Sequence, residues 1–379
     1  MPLTVGVLKE NLEGETRVAL TPEITGKLQK LGVSVVMERG AGDDSQIPDD
    51  QYADVEFTDA GGVLDQCDLL FTVQPANTDA IKKLGDGSVV VGLMYGHNNP
   101  DLVKALQSKK HVGFAMELVP RISRAQSMDV LSSQAAAAGY QATLIAATTL
   151  NKFFPMLTTA AGTIRPAQVL VIGVGVAGLQ AIATAKRLGA VVKAYDVRSA
   201  TKEQVESLGA KFVETGVSAE GEGGYARELT DDEKAQQQAA LEKEIAVSDV
   251  VISTAAIPGR PAPRIISAAA VATMKPGAVI VDVAAESGGN CELTKAGETI
   301  VVNRVKIVGP VNLAAALGRH ASDMYARNLF NFIKPAISED GELNIDWEDE
   351  VFSSSALTRD GEIKHEPTRE AIEGGLPDD

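Results

Sequence analysis

The chain has 379 residues, of which 45% are hydrophobic and 23% are charged, so it is long enough for two domains and has the composition of an ordinary globular protein. Its formal net charge of −16 argues against a nucleic-acid partner and against docking to anionic lipid through charge alone. The two cysteines and four histidines show no spacing of metal ligands or of a disulfide framework, so we expect no metal site.

The first part of the chain alternates predicted strands and helices. It begins without the layout of a signal peptide, and no stretch of the sequence is apolar and long enough to cross a bilayer, so we expect a cytoplasmic chain without direct membrane insertion. A strand is predicted at residues 3–8, and a helix begins at Thr21 and Pro22, where a hydroxyl cap and a proline favour a first turn. Later apolar runs predict further strands at residues 33–37, 68–73, 89–94 and 112–116. This alternation is typical of an α/β domain with a largely parallel sheet.

A polar stretch without glycine, residues 121–129, follows this region. Its sequence is RISRAQSMD, and it leads into a long predicted helix from about Ser132 to about Phe153. Because the helix connects the first domain with the next one, we expect the stretch to lie near the cleft between them, where Arg, Gln and Asp side chains invite a functional role. A plainer alternative is that Arg121 pairs with Asp129 only to cap the helix.

Residues 169–198 carry the pattern of a dinucleotide-binding unit. An apolar strand, a G-x-G-x-x-G turn, a helix, a second apolar strand and a terminal acid follow one another at about the spacing which that fingerprint requires. The corresponding positions are residues 169–172, Gly173, Gly175, Gly178, a helix ended by Gly189, residues 191–195 and Asp196. A merely structural glycine turn is the alternative, but every part of the pattern agrees with the functional interpretation.

Each part of this pattern has a physical task. Gly173 permits the tight turn, Gly175 lets a pyrophosphate approach the backbone, and Gly178 lets the helix pack closely on the strand. The N-terminus of the helix offers unbonded N–H groups and the positive end of its dipole to phosphate. Asp196 would accept hydrogen bonds from the adenosine ribose hydroxyls and repel a 2′-phosphate, which favours NAD over NADP. Arg198 weakens that preference slightly.

The remainder of the second domain alternates strands with long loops. Strands are predicted at residues 211–213, 249–253, 278–283 and 306–309. The loops that follow them belong to the ligand-binding edge of a doubly wound sheet. Thr201 and Gln204 form a predicted capping box. The glycine-rich loop at residues 216–230 has the length of a lid, although an inert surface excursion explains it equally well.

The C-terminal part contains one more predicted helix and an acidic tail. The helix spans about residues 321–333 and is expected to return to the first domain. In the tail Trp347 is the only large anchor, and we expect disorder beyond Glu366.

Several motifs together resemble the NAD(H)-binding component of proton-translocating nicotinamide nucleotide transhydrogenase. They lie at residues 9–10, 17–22, 120–129, 173–178, 223–226, 257–263 and 288–291, so the resemblance spans nearly the whole chain. It implies an α/β fold of two Rossmann-like doubly wound domains with mainly parallel sheets, joined by long helices around a cleft. The expected first α/β domain comprises residues 1–128 and 313–379, and the NAD(H)-binding Rossmann domain comprises residues 129–312.

The resemblance implies a reaction and partners. The chain would bind NAD(H) and take part in direct, Re/Si-specific hydride transfer between NADH and NADP⁺ on a separate NADP(H)-binding component. Membrane-spanning subunits would couple that transfer to proton translocation, and this chain would lie on the cytoplasmic face of the membrane as a peripheral homodimer. Hydride transfer between two nicotinamide rings needs close approach and correct orientation rather than a general acid, which fits the scarcity of catalytic groups.

The resemblance also implies roles for individual residues. The catalytic set, which would orient the nicotinamide, comprises Arg121, Gln126 and Asp129. The cofactor-binding set comprises those three with Ile122, Ser123, Ser132, Gly173, Val174, Gly175, Val176, Gly178, Asp196, Val197, Arg198, Gly224, Tyr225, Gln237 and Ala256. Tyr225 would lie in a mobile loop that closes over the bound nucleotide.

Two other functions stay open on the sequence alone. Alanine dehydrogenase is similar in fold and in several motifs, but it needs a cationic clamp and an acid–base residue for its substrate. Arg17 stands where the clamp arginine is expected. The positions of its lysine, aspartate and histidine differ, with Gln74, Glu286 and a displaced His97. A non-catalytic NAD(H) sensor would carry the same glycine fingerprint but has no need of the 121–129 loop.

Overall fold

The computed structural model of the chain describes residues 3–216, 230–256 and 261–374. The chain divides into two compact units, the first made of Met1–Gln134 and Ala315–Asp379 and the second of Ala135–Ala314. Each unit is built on its own mainly parallel sheet, which confirms the predicted α/β class with doubly wound, Rossmann-like domains.

Strands and helices alternate over most of the chain. The N-terminal elements are β1 (Thr4–Val7), α1 (Pro22–Gln29), β2 (Ser34–Glu38), β3 (Glu56–Thr58), α2 (Ala60–Gln66), β4 (Leu69–Phe71), α3 (Thr78–Lys83), β5 (Val89–Gly92), α4 (Pro100–Ser108), β6 (Val112–Ala115) and α5 (Val130–Thr149). The central elements are β7 (Leu157–Thr159), β8 (Gly162–Ile164), β9 (Gln168–Ile172), α6 (Val176–Arg187), β10 (Val191–Tyr195), α7 (Lys202–Ser207), β11 (Lys211–Phe212), α8 (Asp231–Val247), β12 (Val250–Ser253), α9 (Ala268–Thr273), β13 (Val279–Asp282), β14 (Thr299–Val302) and β15 (Val305–Val308). The C-terminal elements are α10 (Gly318–Ile333), α11 (Glu350–Ser355), β16 (Ala356–Arg359), β17 (Glu362–Ile363) and α12 (Glu366–Glu373). Every strand predicted from an apolar run is present, with ends that move by one or two residues.

The first unit is centred on an eight-stranded sheet in the order β17-β16-β6-β5-β4-β1-β2-β3. The strands from β6 to β3 run parallel, and most of their side chains are apolar and buried because helices cover both faces. One face packs on α10 through Tyr325, Leu329 and Phe332, and the other packs on α2 and α4. The sheet therefore has a buried core on each side.

The second unit is centred on a seven-stranded sheet in the order β11-β10-β9-β12-β13-β15-β14. All neighbours are parallel except β15 and β14. The chain moves from β9 to β10 and β11 in one direction and then returns to β12 on the other side of β9, so the strand order reverses there. Ligands of doubly wound sheets bind at the carboxyl ends of the strands at such a reversal. The glycine turn follows β9 directly and lies at this place.

The C-terminal tail is folded, so the expected disorder beyond Glu366 is wrong for the described residues. α12 occupies that region, and β16 pairs antiparallel with β6, so it covers a sheet edge that would otherwise be open. Phe352 is buried against Phe114 and Phe332, and Trp347 stacks on Phe114. Trp347 is therefore not the only large anchor. The sequence beyond Glu366 has few apolar residues among its charged ones, which is why composition alone predicts disorder there.

Two predicted helix caps are wrong. Thr21 precedes α1, but its hydroxyl is buried without a hydrogen-bond partner among the described residues. Thr201 donates its hydroxyl to the carbonyl of Arg198 (2.8 Å) and does not cap α7. A capping box forms instead at Thr230 and Glu233, where α8 begins. The residue spacing located the helix starts but not their side-chain bonds.

The sequence-based expectation lacks several strands, among them β3 at one edge of the first sheet and β16 and β17 at the other. β7 and β8 form a hairpin that stays outside both large sheets, and β14 adds an antiparallel edge to the second sheet. Across the described ranges, none of the helices combines the length and the hydropathy needed to span a membrane.

Candidate functional site

The glycine turn between β9 and α6 has the geometry that the fingerprint predicts. Gly173 has a φ of +90°, a left-handed conformation that favours glycine. A Cβ on Gly178 would lie 1.9 Å from the carbonyl oxygen of Gly173, so only glycine lets α6 start this close to β9. A Cβ on Gly175 would meet no atom within 4 Å. The protein's own packing therefore leaves space beside Gly175, where a phosphate can reach the N-terminal N–H groups of α6.

Asp196 follows β10 and is buried beside this turn. Its carboxylate accepts the backbone N–H groups of Val174 (2.7 Å) and Arg198 (2.9 Å). The guanidinium of Arg198 donates to both carboxylate oxygens, at 3.0 and 3.1 Å. Burial alone raises the pKa of Asp196, but these hydrogen bonds outweigh it and hold the pKa below its usual value. Asp196 is therefore ionised, and the charge of Arg198 is directed at it.

The other predicted cofactor contacts of the second unit differ in how exposed their side chains are. Val176 and Val197 are 42% and 50% exposed, so both present apolar surface close to the turn. Val174 is buried and supports the turn from inside. Ala256 is exposed on the loop after β12, and Gln237 is half-buried on α8. Outside the described residues lie Gly224, Tyr225, the rest of the candidate lid at 217–229 and positions 257–260 of the 257–263 motif.

Two polar side chains that the predicted set lacks hold this edge of the sheet together. Asn290 is fully buried, donates to the carbonyl of Ala255 (2.7 Å) and accepts the N–H of the same residue (3.1 Å). It thereby fixes the loop that carries Ala256. Thr254 donates its hydroxyl to the carbonyl of Gly173 (3.0 Å). The sequence signal for Asn290 was the G-G-N-C run at 288–291, which contributes to the family resemblance but does not by itself indicate a role.

The 121–129 loop belongs to the first unit and contains a short 3-10 segment, Ser123–Met128. Ala125 and Met128 are buried in the core of that unit. Four residues of the 121–129 loop belong to the predicted cofactor-binding set and precede Asp129. Arg121, Ser123 and Gln126 are exposed, and Ile122 is half-buried. The side chains of Arg121 and Gln126 form no hydrogen bond or ion pair with any described residue. The loop therefore exposes the hydrogen-bond donors of Arg121 and Gln126, which no described residue uses.

Asp129 ends the loop and begins α5. Its two carboxylate oxygens accept the backbone N–H of Ser132 (2.9 Å) and the hydroxyl of Ser132 (2.6 Å). This is a helix cap, and Arg121 takes no part in it, so the plainer alternative, in which Arg121 pairs with Asp129 to cap the helix, is wrong. The structure brings Asp129 and Ser132 together, and they hold each other in one orientation.

The loop is fastened to the rest of the first unit from two sides. The carbonyl of Ser127 accepts hydrogen bonds from Asn328 (2.8 Å) and Asn331 (3.1 Å), both on α10. Arg124 forms a bidentate ion pair with Asp349, at 2.9 and 2.5 Å, just before α11. These contacts fix the backbone on both sides of Gln126.

A buried ionic cluster lies elsewhere in the first unit. The guanidinium of Arg17 donates to both carboxylate oxygens of Glu15, at 2.8 and 2.6 Å, and Gln74 donates to Glu15 as well (2.7 Å). Burial opposes ionisation of Glu15, but the hydrogen bond and charge of Arg17 lower its pKa to about 2. The positive charge of Arg17 is therefore neutralised by a carboxylate of the same chain.

The predicted site residues fall into two groups. The loop residues and Ser132 lie in the first unit, whereas the glycine turn, Asp196, Gln237 and Ala256 lie in the second. In the described part of the chain, no group of three or more His, Cys, Asp or Glu side chains is placed to hold a metal ion.

These features define a class of protein, a two-unit doubly wound α/β chain with a glycine-rich turn where the strand order of its second sheet reverses. Family models described as the N-terminal and C-terminal domains of alanine dehydrogenase/PNT match residues 6–138 and 142–366. The chain belongs to the alanine dehydrogenase/PNT family.

Its relatives confirm the resemblance drawn from the motifs. The first part of the NAD(P) transhydrogenase alpha subunit of Rhodospirillum rubrum is 46% identical over 376 residues, which cover 96% of this chain and 98% of that protein. The crystal structure of a transhydrogenase from Sinorhizobium meliloti is 42% identical, has a TM-score of 0.84 and covers 95% of this chain and 98% of its own. An L-alanine dehydrogenase structure, 21% identical with a TM-score of 0.80, covers 98% and 99% and shows the shared fold alone.

Proposed function

We propose that this chain is the NAD(H)-binding subunit of a proton-translocating transhydrogenase. NAD(H) binds at the glycine turn of the second unit, and hydride passes directly to NADP⁺ held by a separate component. Membrane-spanning subunits couple this transfer to proton translocation, and the chain attaches to them on the cytoplasmic face. Identity to transhydrogenase alpha subunits over nearly the whole chain supports the proposal.

The observation that carries the proposal is the 121–129 loop. Its backbone is fastened on both sides of Gln126, yet Arg121 and Gln126 remain exposed and unbonded to the described residues. A guanidinium and a carboxamide together offer several donors and one acceptor in fixed directions. Such groups suit the amide and hydroxyl groups of nucleotides. A sensor that only binds NAD(H) does not need the exposed, unbonded side chains of Arg121 and Gln126 on this loop.

In this proposal the side chains orient and do not react. The nicotinamide cofactor, when bound, supplies the hydride chemistry. Arg121 and Gln126 hold its amide and ribose groups, and Asp129, fixed by Ser132, keeps the end of the loop in place. The glycine turn and α6 bind the pyrophosphate, and Asp196 binds the adenosine ribose. No general acid is needed, because no carbonyl is protonated in the reaction.

The arginine cluster of the first unit argues against alanine dehydrogenase activity. That activity needs a cation for the substrate carboxylate, but Arg17 is already bonded to Glu15 on two atoms. Gln74, at the lysine position, carries no charge and donates to the same glutamate. His97 is exposed on a loop after β5.

A homodimer is the second part of the proposal, and an apolar surface of the second unit supports it. Phe153, Met156 and Ile164 are 53%, 63% and 45% exposed, and they lie on and just before the β7–β8 hairpin. A two-stranded hairpin is marginally stable by itself. Exposed apolar side chains grouped on such an element are typical of an interface, and a second copy of this chain would cover them.

The proposal is tested by measuring NADH oxidation with an NADP⁺ analogue whose reduced form has its own absorbance. The reaction is run with and without an NADP(H)-binding transhydrogenase component, and pyruvate with ammonium serves as the control substrate. We expect turnover only when the component is present. Oxidation with pyruvate and ammonium would move the assignment to alanine dehydrogenase. Measurable NADH binding without either reaction would make the chain a sensor.

A further inference from the structure

A series of hydrogen bonds crosses the first unit from the buried Glu15–Arg17 pair to the 121–129 loop. We call it the Arg17–Ser127 network. Its links join Arg17 Nη1 to Gln134 Oε1 (2.8 Å), Gln134 Nε2 to Ser133 Oγ (3.2 Å), Ser133 Oγ to Asn328 Oδ1 (2.7 Å) and Asn328 Nδ2 to the Ser127 carbonyl oxygen (2.8 Å). The network thus connects an ion pair in the interior to the residue that follows Gln126.

The interior end of the network is rigid. The side chains of Arg17 and Glu15 are 3% and 0% exposed, and their bidentate geometry leaves the guanidinium one orientation. Hydrogen bonds in such a low-dielectric setting strengthen one another. Because Gln134 is bonded to this guanidinium, its own side chain is fixed, and it fixes Ser133 in turn.

The outer end of the network lies at Ser127, an exposed residue of the loop. Its carbonyl oxygen accepts hydrogen bonds from Asn328 and Asn331, and the first of these also satisfies the side-chain amide of Asn328, which is buried. These bonds fix the position of the loop. Hydride transfer between two nicotinamide rings depends on how closely and in which orientation the rings are held.

We propose that Arg17, Gln134, Ser133 and Asn328 are positioning residues for the 121–129 loop, and through it for Gln126. Arg17 stands where alanine dehydrogenase is expected to have its substrate-clamp arginine. In this chain Arg17 instead influences the position of the 121–129 loop through the network. The inference rests on the proposed function for its consequence in hydride transfer, but the ordering of the loop is a property of the chain alone.

The first test measures loop order without any ligand. In hydrogen–deuterium exchange of the full chain, Ser133→Ala removes the two links made by the Ser133 hydroxyl, and Asn328→Asp removes the link to the Ser127 carbonyl. In both variants amide exchange over residues 121–129 should become about threefold to tenfold faster. Ser322→Ala is the control, because the Ser322 hydroxyl lies on α10, is buried and accepts the N–H of Val18 (2.9 Å) outside the network. Unchanged exchange in both network variants, or equal acceleration in the control, would overturn the proposal.

The second test separates positioning from binding. With the NADP(H)-binding component present, Ser133→Ala should lower the hydride-transfer rate on the order of tenfold while the Kd for NADH changes less than about twofold. Ser133→Thr keeps the hydroxyl and should restore the rate, and Ser322→Ala should leave it unchanged. A wild-type chain that transfers no hydride refutes the proposed function, and the exchange measurement then still decides the positioning claim. An active wild type with an unaffected Ser133→Ala variant refutes the positioning role in catalysis.

Discussion

Replacement of Glu10 with glutamine should remove a pH dependence of stability from the first unit. Burial raises the pKa of Glu10 from 4.5 to about 7, although its hydrogen bond from the N–H of Val73 (2.6 Å) works in the opposite direction, and the charge of Glu15 adds to the rise. The folded chain therefore binds this proton more tightly than the unfolded chain does. The resulting stabilisation is complete below about pH 4.5 and is lost as the pH rises to about 7.

The size of the effect follows from the two pKa values. Between pH 5 and pH 8 the wild type should lose about 2 to 3 kcal/mol of unfolding free energy relative to Glu10→Gln, at about 1.4 kcal/mol per pH unit. Other groups that titrate in this range, such as His111, whose pKa burial lowers, contribute equally to both proteins and cancel in the comparison.

Urea unfolding at the two pH values measures this difference. Trp347 is the single tryptophan and lies in the same unit as Glu10, so its fluorescence follows the unfolding of that unit. Equal changes of unfolding free energy with pH in the two proteins would refute the assignment of a raised pKa to Glu10.

Three further predictions concern the loop and the association of chains. Gln126→Asn should slow hydride transfer far more than it weakens NADH binding, and parallel losses in rate and titrated affinity would exclude an orienting role. Asp349→Asn loosens the 121–129 loop, so its transfer rate should fall severalfold at an unchanged Kd for NADH, whereas a raised Kd alone would contradict this account. Met156→Glu should shift the chain toward monomers in analytical ultracentrifugation, whereas Val301→Glu, at an equally exposed edge-strand position, should not, and a stable Met156→Glu dimer would place the interface elsewhere.

The parts of the fold that were predictable from sequence depend on local patterns. The strands at 169–172 and 249–253 could be located to within one residue because a strand covered on both faces is a continuous apolar run. The glycine turn was predictable because left-handed backbone at Gly173 and close packing at Gly178 restrict the residue type directly. The β7–β8 hairpin was not, because its residues are largely exposed and carry no alternating pattern.

The site shows the same division between local and distant causes. The Asp129–Ser132 cap joins residues three positions apart, and such a contact follows from helix geometry. Ser133 and Asn328 are 195 positions apart, and only the packing of α5 on α10 brings them together. The network that holds the loop could therefore not be derived from spacing, although both of its helices were predicted.

The direct test of the central claim follows one hydrogen atom. NADH deuterated at C4, prepared separately as its two stereoisomers, is mixed with this chain, the NADP(H)-binding component and an NADP⁺ analogue, and the reduced analogue is examined by mass spectrometry. Direct and stereospecific transfer predicts that the deuterium of one stereoisomer appears in the product and that of the other does not. A product that carries hydrogen from the solvent with both stereoisomers would contradict the account.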